Sequence, residues 1–217
     1  LNSNTLETEA KYKQAESKID INNYIQYQLT EVYIDNRDWP GNNIKFWNTN
    51  DQGSLWRWIL YDTDFGFGYK GATAYTFNTL DWALTPDATT GSNRPWATLL
   101  FRRMLTNPGF KKEFANQYAD RINRNFSAER VLFVQDSIHN VYLPEMGDHL
   151  ARWNLTLSNW NNHNSNVRNF ATNRPDQARA HIRSELGLGE MLQVTVDINE
   201  PGRGSVKVNS IVPYSFP

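Results

Sequence analysis

Apolar residues recur at helical spacing through Ile21, Tyr24, Ile25, Leu29 and Val32, with Asp20 just ahead of them as a capping residue. The pattern predicts a buried helix from Asp20 to about Ile34. It runs into DNRDWPGNN, Asp35 to Asn43, where Pro40 and Gly41 stop the helix and require a tight loop. Two β-branched and aromatic runs follow, Ile44 to Trp47 and Trp56 to Tyr61, separated by the turn-rich NTNDQGS, and they predict a β-hairpin.

Beyond the hairpin, DTDFGFGYKG and the aromatic stretch to about Asn93 follow neither period. Helical spacing returns in Pro95 to Thr106, Pro108 to Asn125, Ser127 to Trp153 and about Ser165 to Leu186, with Pro108 and Ser127 as helix starts and Gly187 as a stop. The last stretch, QVTVDINEPGRGSVKVNSI, alternates as two strands across a Pro-Gly turn. The fold class is therefore α+β, mainly helical. Residues 1–190 form its body, and residues 191–217 read as a β tail or the start of a C-terminal β domain.

Composition narrows the chemistry. At 217 residues, 39% hydrophobic and 13% aromatic, the chain is long and apolar enough to bury a core. A net charge of -1, from 22 basic and 23 acidic residues, supplies no field to attract nucleic acid or an anionic membrane. The absence of cysteine excludes disulfides and thiolate sites, and the four histidines lack ligand spacing, so any metal must be held by oxygen. No apolar run is long enough to span a bilayer, and LNSNTLETEAKYKQ lacks the features of a signal peptide; its abrupt polar start reads as a cut in a longer sequence.

Oxygen-bearing side chains crowd between Asp35 and Asp64: Asp35, Asp38, Asn42, Asn43, Asp62 and Asp64. Phosphoryl transfer needs such a set, a carboxylate to receive or orient the hydroxyl proton and an Asn and a second Asp to hold magnesium against ATP phosphates. In protein kinases the Asn follows the catalytic Asp by five positions and an Asp-Phe-Gly lies one hairpin further on. Asp38 and Asn43 have that spacing, and Asp62 and the literal Asp64-Phe65-Gly66 compete for the second metal position. In an extended segment, residues 62 and 64 would point to the same side. Asp35 reads as a helix-end residue, and Gly66 to Gly71, a GxGxxG, as a glycine-rich turn, because no helix pattern follows it.

With YQLTEVYIDNRDWPGNNIKFW followed by WRWILYDTDFGFG, the chain resembles the CotH kinase family, which includes spore-coat protein H-like and surface proteins, over about residues 10 to 186. The resemblance implies a protein-kinase-like C-lobe with a small catalytic hairpin, ATP and Mg2+ as cofactors, and a protein substrate. It makes Asp38 the catalytic base, Asn43 and Asp62 magnesium ligands, and Asp64 a further or outer ligand. It also implies a secreted or cell-surface protein. A kinase needs a phosphate-covering loop and a phosphate-pairing Lys upstream of the catalytic loop. The 37 residues before Asp38 read as helices, so those parts are expected outside this sequence and the chain alone is expected to be inactive.

Rival readings remain: an Asx-rich structural turn at Asp38 and Asn43, a calcium-stabilised loop, or a non-catalytic surface module that captures glycans on its many Trp rings. Trp47, Trp56 and Trp58 in strand-like runs, and Trp96 at a helix start, read mostly as core. His139, His149, His163 and His181 read as surface or structural residues.

Overall fold

A computed structural model of the chain describes residues 5–87, 91–192, 194–195 and 207–211. After α1 (Glu9–Glu16), helix α2 (Ile21–Ile34) begins on Asp20, whose carboxylate accepts the N–H of Asn23 at 3.0 Å. Its C-terminal half is buried all round, from Gln28 and Leu29 through Glu31 to Ile34. Strands β1 (Lys45–Trp47) and β2 (Arg57–Ile59) follow as an antiparallel pair. Helices α3 (Thr79–Leu84), α4 (Leu99–Met104), α5 (Pro108–Asn123), α6 (Ala128–Tyr142), α7 (Met146–Arg152) and α8 (Leu157–Leu186) complete a mainly helical body.

The hairpin stands because α2 completes it. Asn23 acts as a missing strand partner, its Oδ1 accepting the Trp58 N–H at 2.6 Å and its Nδ2 donating to the Trp58 carbonyl at 3.1 Å. Arg57 Nε donates to Asp20 at 2.9 Å, so the cap of α2 also anchors β2. Trp58 packs edge-on against Tyr24 at 4.6 Å. Strands of three residues cannot cover their own side chains, and Trp47 and Trp56 are exposed. Trp96 is also exposed, at 63%, because Pro95 to Thr98 form turns and α4 starts only at Leu99. The expectation that these rings are core is corrected; the buried indole is Trp39, in the loop after α2.

Two helix boundaries also differ from the sequence pattern. The run from Ser127 to Trp153 divides at Leu143–Glu145, a 3-10 turn containing Pro144, whose ring cannot continue the α ladder. Helix α8 begins at Leu157, capped by Thr156, because the polar positions ahead of Ser165 are solvent-facing helix and carry no apolar stripe. Of the final β segment, residues 193, 196–206 and 212–217 lie outside the described residues. Residues 207–211 form a turn closed by a Val208–Ile211 bridge, and buried Asp120 of α5 accepts from Asn209 at 3.1 Å and the Ser210 N–H at 3.0 Å.

The centre of the body is Arg174 of α8, 1% exposed. Its Nε donates to the Tyr33 carbonyl at 2.8 Å and Nη2 to the Val32 carbonyl at 2.8 Å, the last turn of α2. Nη1 donates to the carbonyls of Tyr75 at 3.0 Å and Phe77 at 2.7 Å, around the 3-10 turn Ala74–Thr76. Removing the guanidinium leaves these carbonyls buried without donors. Arg174→Ala is expected to lower the unfolding free energy by about 3–5 kcal/mol, measured by chemical denaturation. Arg174→Lys should cost nearly as much, because an ammonium lacks the planar fork that reaches both segments.

Candidate active site

Helix α2 ends on Asp35, which takes the left-handed conformation at φ 58 while its N–H bonds back to the helix. Its buried carboxylate is gripped by Arg37, through Nε at 3.0 Å and Nη2 at 2.9 Å, and accepts the Thr79 hydroxyl at 2.8 Å. Arg37 in turn lies over the Phe77 ring at 3.7 Å. Asp35 thus terminates the helix and sets the loop that follows, as its sequence position implied.

The next turn of the loop is held from below. Buried Asn36 accepts the Asp38 N–H on Oδ1 at 3.1 Å and donates from Nδ2 to Glu31 Oε2 at 2.9 Å. Trp39 fills the core, and Gly41 lies so close to Ser92 that a Cβ there would collide with the Ser92 carbonyl oxygen. The Ser92 hydroxyl donates to the Arg37 carbonyl at 2.7 Å and also lies against that of Trp39. Sequence reading had not singled out Glu31, Asn36, Trp39 or Ser92. A charged Glu31 within the apolar stripe of α2 was the available signal.

Asp38, partly exposed at the top of this support, accepts on both carboxylate oxygens, from Asn42 Nδ2 to Oδ1 at 2.7 Å and from Asn43 Nδ2 to Oδ2 at 2.8 Å. Donation from both amides fixes the plane of the carboxylate. It also assigns Asn43 its orientation, leaving Oδ1 of that amide with no hydrogen bond among the described residues. The structure therefore brings Asp38 and Asn43 together through direct contact.

Asp62 and Asp64 arrive from the other motif. The ladder pairs Lys45 with Ile59 and Trp47 with Arg57, so Asn43, ahead of β1, and Asp62, beyond β2, leave the same open end of the hairpin. Lys45 lies over the Tyr61 ring at 3.5 Å at that end. The segment is not extended: Asp62 is left-handed at φ 54 and Asp64 lies in a turn, which corrects the strand alternation expected for the pair. Both carboxylates are exposed and neither has a hydrogen bond or ion pair among the described residues.

The motif loop is fastened to the body by its glycines. Phe67 N–H donates to the Ile34 carbonyl at 2.8 Å, and a Cβ on Gly66 would sit 3.0 Å from Ile34 Cγ1. Gly68, at φ 88, leaves only 2.9 Å between such a Cβ and the Asn166 carbonyl of α8. Gly71 is also left-handed, at φ 108, and the 3-10 turn Ala74–Thr76 follows in place of the helix a dinucleotide site requires. Among the described residues no group of three or more His, Asp or Glu side chains could hold a metal alone. Asn43 Oδ1 and the Asp62 carboxylate, unpaired among the described residues, are hard-oxygen donors of the kind a divalent cation such as magnesium would accept. Of the histidines, His139 stacks flat on Trp160 at 4.5 Å, and burial pushes half-buried His181 down to about 4.

The hairpin thus carries a carboxylate held by two amides near one strand end and an acidic, glycine-fastened loop beyond the other. The family model described as CotH kinase protein matches residues 1–177, and the chain belongs to the CotH kinase family. No curated protein and no solved structure matches the chain.

Burial raises the Glu31 carboxyl to about 7, with the Asn36 donor opposing the shift. A carboxyl raised in this way binds its proton more tightly in the folded than in the unfolded chain. Its contribution to stability is therefore complete below the ordinary value of 4.5 and is lost as pH rises through about 7. Asp35 is shifted in the same direction by burial, against the opposing pull of Arg37. Denaturation between pH 5 and pH 8 should show stability falling by on the order of 3 kcal/mol from Glu31. Glu31→Gln, which keeps the shape and removes the titration, should flatten most of that slope.

Proposed function

We propose that the protein of which this chain is part transfers the γ-phosphoryl group of ATP to a Ser or Thr hydroxyl of a protein substrate. The observation that carries the reading is Asp38 held on both oxygens by Asn42 and Asn43; family membership supports it. In this reading Asp38 receives the proton of the attacking hydroxyl as the new O–P bond forms and the bond to the leaving ADP breaks. Its two amide donors keep the carboxylate aimed without spending reorganisation energy at the moment of reaction. Asn43 Oδ1 and Asp62 would hold magnesium, with Asp64 as an additional or outer ligand. When bound, the ion neutralises charge on the phosphates. Family membership also leads us to place the protein outside the cytoplasm, secreted or on the cell surface.

The exposed rings of Trp47, Trp56 and Trp96 favour a second reading, a non-catalytic surface module that binds glycans. The two diverge on Asp38. In full-length protein, Asp38→Ala and Asp62→Ala should each reduce phosphoryl transfer by at least about a hundredfold, followed with labelled ATP. Turnover at the wild-type rate in either variant would remove the assignment.

The described residues before Asp38 form α1 and α2, with no lysine-bearing strand or glycine-rich loop among them. An ATP triphosphate at this site would stay largely in water, where charge interactions are several-fold weaker than in an enclosed cleft. Calorimetry with magnesium and ATP should accordingly find only weak binding to the chain alone. Micromolar affinity would require a phosphate cradle, with Gly66 to Gly71 the first place to look.

A further inference from the structure

Glu31 of α2 and Asn36 of the loop that follows it are both 0% exposed, and they form the support beneath Asp38. The Asn36 N–H bonds back to the Glu31 carbonyl at 3.3 Å, so the two backbones are tied and the Asn36 carboxamide is the part that can turn. It donates from Nδ2 to Glu31 Oε2 at 2.9 Å and accepts the Asp38 N–H on Oδ1 at 3.1 Å. Glu31 Oε1 is buried without a hydrogen bond of normal geometry, and the Tyr27 hydroxyl, one turn earlier on α2, is the group that acts on this carboxyl besides Asn36. Cations on the elements packed around α2 are committed elsewhere: Arg37 to Asp35, Arg57 of β2 to Asp20, Arg121 of α5 to Gln26 and Asn125, and Arg174 of α8 to main-chain carbonyls and Thr79. Of the acids there, Asp35 is held by Arg37, Asp120 of α5 by Asn209 and Ser210, and Asp81 of α3 is exposed.

We propose that Glu31 and Asn36 are positioning residues for phosphoryl transfer, and that Asp38 is aimed only while Glu31 carries its negative charge. The inference rests on the phosphoryl-transfer reading and adds a regulating proton to it. An ionised carboxylate can only accept, which obliges Asn36 to offer it the NH2 group and leaves Oδ1 for the Asp38 N–H. A protonated carboxyl carries a donor of its own and so accommodates the reversed carboxamide, with the NH2 turned against the Asp38 N–H. Two buried donors then face each other, and the loop loses its support. Burial, the largest influence, raises the Glu31 carboxyl to about 7, with Asn36 and then Tyr27 opposing it, so its proton is exchanged near neutrality. Burial, and then Glu31 itself, push the Tyr27 phenol well above its ordinary value, which keeps it a neutral donor. Aim and stability thus oppose each other. As pH rises through about 7 the fold loses stability, and the loop gains its fixed arrangement.

The direct test is nuclear magnetic resonance of the isotopically labelled chain, following the Glu31 carboxyl carbon and the Asp38 amide across pH. Both should titrate with one midpoint, about 7. The Asp38 amide should lose that titration in Glu31→Gln and in Asn36→Leu, with thermal melts to show that the variants remain folded. In full-length protein, kcat at saturating ATP, magnesium and acceptor should rise about tenfold from pH 6 to pH 8, with KM for the acceptor unchanged. Glu31→Gln, whose carboxamide also carries a donor, should be flat over this range and no faster than wild type at pH 6. An Asp38 amide that stays fixed while Glu31 titrates in the wild-type chain overturns the inference, and that comparison needs no variant. So does a Glu31→Gln enzyme that keeps the wild-type pH profile, an effect confined to KM, or variants that lose stability alone. A fixed Asp38 amide in a protein whose turnover still depends on Asp38 overturns the relay alone. Wild-type turnover in Asp38→Ala overturns the phosphoryl-transfer reading, and with it the role in catalysis, whatever the resonances do.

Discussion

The guanidinium of Arg174 is buried and makes no direct ion pair among the described residues, so most of its desolvation cost must be met by hydrogen bonds. The partners that meet it are main-chain carbonyls, and their location gives the interaction its reach. Val32 and Tyr33 belong to the last turn of α2, where unsatisfied carbonyls collect the negative end of the helix dipole. Tyr75 lies within the 3-10 turn downstream of the DTDFGFG loop and Phe77 closes it. One planar group on α8 therefore fixes, relative to each other, the helix that launches one motif and the segment that receives the chain from the other. Thr79 extends the connection, touching Arg174 Nη2 at 3.2 Å and donating to Asp35, the residue that ends α2.

The hairpin depends on the same helix at its opposite end. Three paired residues per strand cannot make an independently stable sheet. Asn23 and Asp20 supply from the first turn of α2 the hydrogen bonds that β2 lacks. Helix α2 thus positions Asp38 through its C-terminus and the two-stranded unit leading to Asp62 through its N-terminus. A change in either end of α2 would be felt at the separation of the two motifs, without any residue of the site being altered.

Much of this was legible in the residues. The 3.6-residue period and the Asp20 cap defined α2 to within a residue, and Pro40-Gly41 marked the loop, because both signals are local. The five-residue spacing of Asp38 and Asn43 marked a pair whose direct hydrogen bond is now visible. What the pattern did not carry was long-range. Arg174 is an ordinary basic residue in a polar helical stretch until α2 is docked beside it, and apart from Thr79 its hydrogen-bond partners are backbone carbonyls, which no sequence pattern identifies. Nor could the tryptophans be sorted. Burial of an aromatic in a strand depends on what covers the sheet, and here little covers Trp47 or Trp56, whereas the loop residue Trp39 is enclosed.

The two acidic motifs are treated in opposite ways, and the difference follows from what each carboxylate would have to do. Asp38 rests on a ladder of buried polar groups, from Glu31 through Asn36 to its own N–H, and its oxygens are both engaged by neighbouring amides. In the proposed reading Asp38 is a base that must be aimed before the substrate arrives, and every one of these bonds restricts its orientation. Asp62 has no side-chain partner among the described residues, and its backbone is held in a left-handed turn by a loop that Gly66 and Gly68 lock to α2 and α8. If Asp62 holds the cation as proposed, it gains nothing from a standing hydrogen bond that the ion would have to displace. It needs a fixed backbone and a free head. The polar investment of the fold is concentrated under Asp38, while at Asp62 it lies entirely in the glycines, so the two positions answer to different kinds of substitution: Asp38 to changes in buried polar groups, Asp62 to any side chain added where the loop meets the helices.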